Sequence, residues 1–97
     1  MQRAVTAHKE GKLQDADRLY RLVLKFCPNH PDANHNLGLL EVSANRFKEA
    51  LPFFKTAIKT NPKIKQFWLS YVSALIRDNQ FDNAKKVVSN AENFLKL

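Results

Sequence analysis

Apolar residues near the end of this chain follow one another at intervals of three and four. Phe81, Ala84, Val87, Val88, Ala91, Phe94 and Leu95 form one broad stripe along a helix, wider than a single partner helix needs. Laid over itself, the whole chain repeats such segments. Ala16, Ala50 and Ala84 are spaced 34 residues apart, as are Gly11, Asn45 and Asn79, and Leu13, Phe47 and Phe81; Pro28 pairs with Pro62. The stretches "EGKLQDADRLYRLVLKFCP", "ANRFKEALPFFKTAIKTNP" and "DNQFDNAKKVVSNAENFLK" are three copies of one pattern. A period of this length marks a helix–turn–helix repeat.

The matched columns give each repeat its parts. Gly11, Asn45 and Asn79 stand where one helix stops and the next begins, and glycine and asparagine tolerate the left-handed backbone that such a stop requires. The alanines are expected where two helices cross closely. Leu13, Phe47 and Phe81 are expected to begin each second helix and plug its base. Pro28 and Pro62 end second helices and turn the chain back. The pattern predicts helices at about 2–10, 13–26, 32–44, 47–60, 65–78 and 81–95. It makes residues 1–97 a single domain, with repeats at about 1–30, 31–64 and 65–97. Pro52, inside the fourth helix, is expected to remove one backbone bond on the solvent side.

Composition narrows the class. Two glycines and four prolines leave little material for a turn-rich β fold, and 44% hydrophobic with 26% charged residues is ordinary for a soluble domain. No apolar run approaches the roughly 18 residues of a membrane span, and the N-terminus lacks an apolar secretion signal. The single cysteine, Cys27, forms no internal disulfide and is expected to be partly buried before the terminating proline; its lack of a partner favours a reducing compartment. The chain is therefore read as cytoplasmic, with no membrane insertion.

These columns resemble the tetratricopeptide repeat family over the whole chain. The middle copy matches best, with Asn36–Gly38 followed by Ala50, Phe54, Ala57 and Pro62. The third has Trp68, Phe81, Ala84 and Ala91; the first has Gly11, Ala16, Tyr20 and Pro28. Val72 departs from a small glycine, Glu41 from an aromatic position and Arg3 from a leucine. Glu41 raises its own question, since a carboxylate near a helix seam needs a partner or an exit to water. The resemblance implies an all-α, right-handed α-solenoid of three helix–turn–helix repeats, with about six antiparallel helices. Its concave side is lined by first helices and its convex side by second helices.

Chemistry-bearing clusters do not survive their spacing. In "HPDANHNLG", His30, Asp32 and His35 look like the start of a metal site. Zinc needs three or four convergent ligands, whereas Pro31 and Asp32 fit the first turn of a helix. His8 and Glu10 are two apart and do not share a helical face. No nucleophile elbow or phosphate-cradling glycine loop occurs. No catalysis, no metal and no cofactor is expected.

Function is then a matter of surfaces. The resemblance implies that a peptide or protein segment lies in the concave groove, floored by His35, Asn36, Leu39, Val42 and Ser43 of the second repeat. The third repeat contributes Gln66, Leu69, Ser70, Ser73 and Arg77; the first contributes Val5, His8 and Lys9. Family members that clamp a chaperone's C-terminal carboxylate use positions that here read Met1, Val5, Asn36, Gln66 and Ser70, and only Asn36 fits, which argues against that role. The rival reading starts from the net charge of +7, carried in part by Arg18, Arg21, Lys25, Lys48, Lys55, Lys59 and Lys86 on outward faces of second helices. Such a stripe would attract nucleic acid or an acidic surface. Nucleic acid is disfavoured because the aromatic residues occupy core columns rather than stacking positions. A third reading is contextual: the repeat style resembles arrays ahead of bacterial glycosyltransferase, sulfotransferase or methyltransferase domains.

The two ends look unequal to the middle. Val88, Leu95 and Leu97 are left pointing where a further helix would stack, and a matching edge is expected near Ala4 and Tyr20. The chain is expected either to be cut from a longer array or to cover its C-terminal edge by self-association, most simply as a homodimer.

Overall fold

The computed structural model describes residues 1–96; Leu97, one of the expected edge residues, lies outside them. Six helices follow in order: α1 (Gln2–Lys9), α2 (Leu13–Phe26), α3 (Pro31–Ser43), α4 (Phe47–Thr60), α5 (Lys65–Arg77) and α6 (Phe81–Leu95). The expected boundaries stand to within a residue. Consecutive helices pack against each other, α3 also meets α5, and the stack measures 35 × 24 × 20 Å. Among the described residues no helix is long and apolar enough to cross a membrane.

The turns inside each pair are built alike. Gly11, Asn45 and Asn79 all have positive φ, at 77°, 60° and 61°. That left-handed residue lets the next N–H reach back to a helical carbonyl: Lys12 donates to Ala7, Arg46 to Glu41 and Gln80 to Leu75, at 2.8–2.9 Å. The turns between pairs are locked by a device that the proline columns alone did not reveal. The Asn34 amide donates to the Pro28 carbonyl at 3.1 Å, and one period later the Trp68 indole N–H donates to the Pro62 carbonyl at 2.8 Å.

Ala16, Ala50 and Ala84 are buried; Tyr20 packs in the same core as Ala16, and Phe54 in the same core as Ala50. Gly38 is held small by Phe54, whose ring occupies the place a Cβ would take. Ala4, Ala7, Ala16 and Tyr20 pack with Ala33, Leu37 and Leu40 of α3 in one core, and Ala50, Phe54 and Ala74 form a second with Tyr71 and Leu51 beside them. The Glu41 question resolves in the same region. Its carboxylate is buried, accepts two bonds from the Arg46 guanidinium at 2.9 and 3.0 Å, and lies 3.8 Å from Arg21.

Several expectations are corrected. Leu13 and Phe81 are 43% and 54% exposed and plug nothing; only Phe47 is half-buried, beneath the Arg77 guanidinium at 4.3 Å. Ala4 and Tyr20 do not form an open edge. Both are buried in the first core, α1 packing on α2 and α2 on α3, and the Tyr20 hydroxyl is satisfied by His8 Nδ1 at 3.1 Å. Cys27 is exposed, because it lies just past the last turn of α2, where no helix passes over it.

Replacing Ala50 by leucine inserts three carbons into a fully enclosed crossing. The expected cost is about 1–3 kcal/mol of stability, seen as a lower thermal midpoint by circular dichroism. An unchanged midpoint would show that this crossing has room to spare.

Candidate peptide-binding groove

α3 carries the centre of the groove, and its start is fixed by a histidine. His30 Nδ1 accepts from the Ala33 backbone N–H at 3.1 Å, so the residue that looked like a metal ligand caps the helix. His35 turns elsewhere. Its Nε2 pairs with Ser70 Oγ at 2.8 Å, and its ring lies against Phe67 and Phe54, with centroids at 4.8 and 5.5 Å. The two histidines of the motif therefore serve different partners.

His35 and Ser70, expected on the groove floor as open contact residues, are both buried. Their polar atoms satisfy each other, and Gln66 Nε2 adds a longer bond to Ser70 Oγ at 3.4 Å. They tie α3 to α5 beneath the groove. Ser43 is exposed, but its hydroxyl donates to the Leu40 carbonyl at 2.7 Å. The side chains left facing outward are Asn36 and Leu39, half-buried, with Gln66, Leu69, Ser73 and Arg77, exposed. Leu69 is 52% exposed in the middle of α5. Val5 and His8 of α1 are half-buried, and Lys9 is exposed.

Leu69, Ser73 and Arg77 also form one wall of a groove of about 360 Å³ between α5 and α6. Its other residues include Trp68, Val72, Ile76, Val88 and Leu95. The groove and the C-terminal edge, read separately in the sequence, are thus one continuous surface. Val72 and Ile76 escaped sequence reasoning. Both stand one helical turn or less from Leu69 and Ser73, so the open face of α5 is broader than the family's groove positions imply.

The outward basic stripe divides. Arg18 and Arg21 are paired with Asp15 and Asp17 at 3.3 and 2.7 Å. Lys25, Lys48, Lys55, Lys59 and Lys86 are exposed and form no ion pair among the described residues.

Electrostatics around the groove follow burial. Burial pushes the His35 imidazole below its ordinary value, while the Asp32 charge and the Asn36 amide pull it back up. Burial pushes the Tyr20 phenol up, opposed by Asn36 beside it, and pushes the Tyr71 phenol up as well. His35 is therefore a neutral, hydrogen-bonded spacer rather than a cation offered to a ligand.

This is the architecture of a helical repeat, in which short stacked helices position side chains along a shared surface. The chain belongs to the tetratricopeptide repeat family: the family model described as Tetratricopeptide repeat matches residues 1–63 and again 35–89. No curated protein matches it significantly. Among solved structures it resembles MamA from Desulfovibrio magneticus RS-1, with 22% identity and a TM-score of 0.83 over 96% of this chain and 52% of that one. It also resembles the first TPR of Spaghetti (RPAP3) bound to the HSP90 peptide SRMEEVD, at 17% identity and a TM-score of 0.82, over 96% and 76%. The Sgt2 TPR domain from Aspergillus fumigatus matches at 17% identity and a TM-score of 0.82, over 96% and 62%. The chain spans about half the length of the MamA structures it matches, and these likenesses speak to the fold alone.

A neutral buried His35 makes stability depend on pH. Its folded-state value is depressed, so as pH falls below about 6.5 the unfolded chain takes up a proton that the folded one resists, and stability declines. The thermal midpoint of the wild type should drop from pH 7 to 5.5 more than that of His35→Gln. The extra slope is limited to about 1.4 kcal/mol per pH unit, the value for one proton.

Proposed function

We propose that the chain is a non-catalytic protein-interaction module that holds an extended peptide or protein segment across α1, α3 and α5. The Asn36 amide bonds the ligand backbone, Leu39 and Leu69 take its apolar side chains, and Arg77 receives a carboxylate. The observation that carries this reading is Leu69: a large apolar side chain, 52% exposed at mid-helix, with exposed Ser73 one turn further on. The Spaghetti domain was solved with an HSP90 peptide, but of the five positions of the chaperone clamp only Asn36 is matched here. The ligand we propose is accordingly not a chaperone tail.

A partner isolated on the immobilised chain tests this by chemical-shift mapping. Perturbations should centre on Asn36, Leu39 and Leu69. Leu69→Lys should weaken the complex by about tenfold or more without moving the thermal midpoint, as expected for a centrally placed apolar contact. Perturbations confined to the outward lysines would defeat the groove reading.

We also propose that copies of the chain associate through the α5/α6 groove, where Val88 is 41% exposed beside Leu95 and Trp68. An exposed apolar surface is stabilised by being covered. Light scattering should show dimers that dissociate on dilution, and Val88→Lys should give a monomer at every concentration. A wild type that is monomeric throughout would refute this pairing.

A further inference from the structure

On the outward face, α4 and α6 flank a trough whose floor is supplied partly by α5. One section, of about 640 Å³, is rimmed by Lys48, Lys55 and Lys86 over a floor that includes Leu51, Tyr71 and Val87. A second section, of about 450 Å³, shares Lys55, Tyr71 and Val87 and extends to Lys59. No Asp or Glu among the described residues lines either section. The arginines of α2 are neutralised by their own aspartates; these four lysines form no ion pair among the described residues. Uncompensated positive charge is thus concentrated around an apolar floor.

The trough also contains an interruption in α4. Pro52 lies inside the helix and has no N–H, so the Lys48 carbonyl, four residues earlier, lacks its usual helical donor. Both residues line the trough. A backbone acceptor without its helical partner, set among three lysines, has a definite preference: it attracts an N–H, while its neighbours attract carboxylates.

We propose that this trough docks an extended acidic peptide segment carrying one or two apolar side chains, distinct from the ligand of the α1/α3/α5 groove. The apolar side chains lie on Leu51, Tyr71 and Val87, carboxylates meet Lys48, Lys55 and Lys86, and a peptide N–H donates to the Lys48 carbonyl. Lys48 and Lys59 are eleven residues apart on α4, about 16 Å along a helix, which is the span of roughly five extended residues. A nucleic acid fits less well. Its phosphodiester backbone brings no donor for the carbonyl, and the Trp68 ring is already stacked on Phe94 with its N–H bonded to Pro62.

The probe is a fluorescein-labelled, N-acetylated hexapeptide alternating glutamate and leucine, titrated against the chain by anisotropy. Saturable binding that weakens with salt is expected. Lys55→Gln, which removes the lysine common to both sections, should weaken it by about tenfold. Pro52→Ala, which returns an N–H to the Lys48 carbonyl, should weaken it by about threefold with no change in charge. Lys25→Gln, outside the trough, should stay within about twofold, and Leu69→Lys should have no effect, so that failure of the groove reading leaves this test intact. Circular dichroism melts establish that each variant folds. The proposal is overturned by absence of saturable binding, or by equal losses for Lys25→Gln and Lys55→Gln. It is equally overturned if a single-stranded oligonucleotide displaces the peptide while Pro52→Ala changes nothing, which would make the trough a nucleic-acid surface.

Discussion

Close helix crossing is the constraint on which the rest of this structure depends. Ala16, Ala50 and Ala84 let α2, α4 and α6 approach their neighbours, and Gly38 lets the Phe54 ring enter the body of α3. A chain of this size has few large residues to bury, so stability comes from bringing backbones together around Tyr20, Phe54, Leu37 and Leu75. Any extra volume at a crossing separates a pair and shifts every helix stacked on it, because each pair touches only the next. The spacing of the groove residues is set by the same contacts.

Two kinds of turn convert those crossings into a continuous stack. Within a pair, a left-handed Gly or Asn ends the helix and returns one N–H to a carbonyl five residues back. Between pairs, Asn34 and Trp68 hold the carbonyls of Pro28 and Pro62. Glu41 belongs to this scheme as well. Its carboxylate grips the Arg46 side chain while its carbonyl receives the Arg46 N–H, so one residue pair clamps the α3–α4 turn from both sides. The departure from the family's aromatic position is compensated by a charge pair that reaches water through Arg46, which stays 58% exposed.

The surfaces divide according to what the scaffold consumes. His35 and Ser70 are used to join α3 to α5, and His30 caps a helix, so none of the three is left for a ligand. Apolar surface survives in the groove between α5 and α6. Positive charge survives on α4 and α6, where Lys48, Lys55, Lys59 and Lys86 form no ion pair among the described residues, whereas Arg18 and Arg21 of α2 are held by Asp15 and Asp17. The two surfaces therefore differ in chemistry: one is largely apolar, with Leu69, Val72, Ile76 and Val88, and the other sets lysines over an apolar floor with an interrupted helix.

The sequence by itself determined the six helices, the crossings and the turns, because each depends on local backbone preference or on side-chain size repeated at a fixed period. Gly11, Asn45 and Asn79 could be placed in left-handed backbone without knowing anything beyond their own position in the repeat. What the tertiary structure decided was which polar residues remain available. His35 meets Ser70 across 35 positions, Trp68 stacks on Phe94, and Tyr20 is buried in the first core. Leu13 and Phe81 show the converse, since they hold the same column as Phe47 yet stay in water where no neighbouring side chain covers them as Arg77 covers Phe47. Burial is a property of what lies opposite. A repeat period fixes where a side chain sits on its own helix, and only the packed neighbour decides whether it is core, clamp or open surface.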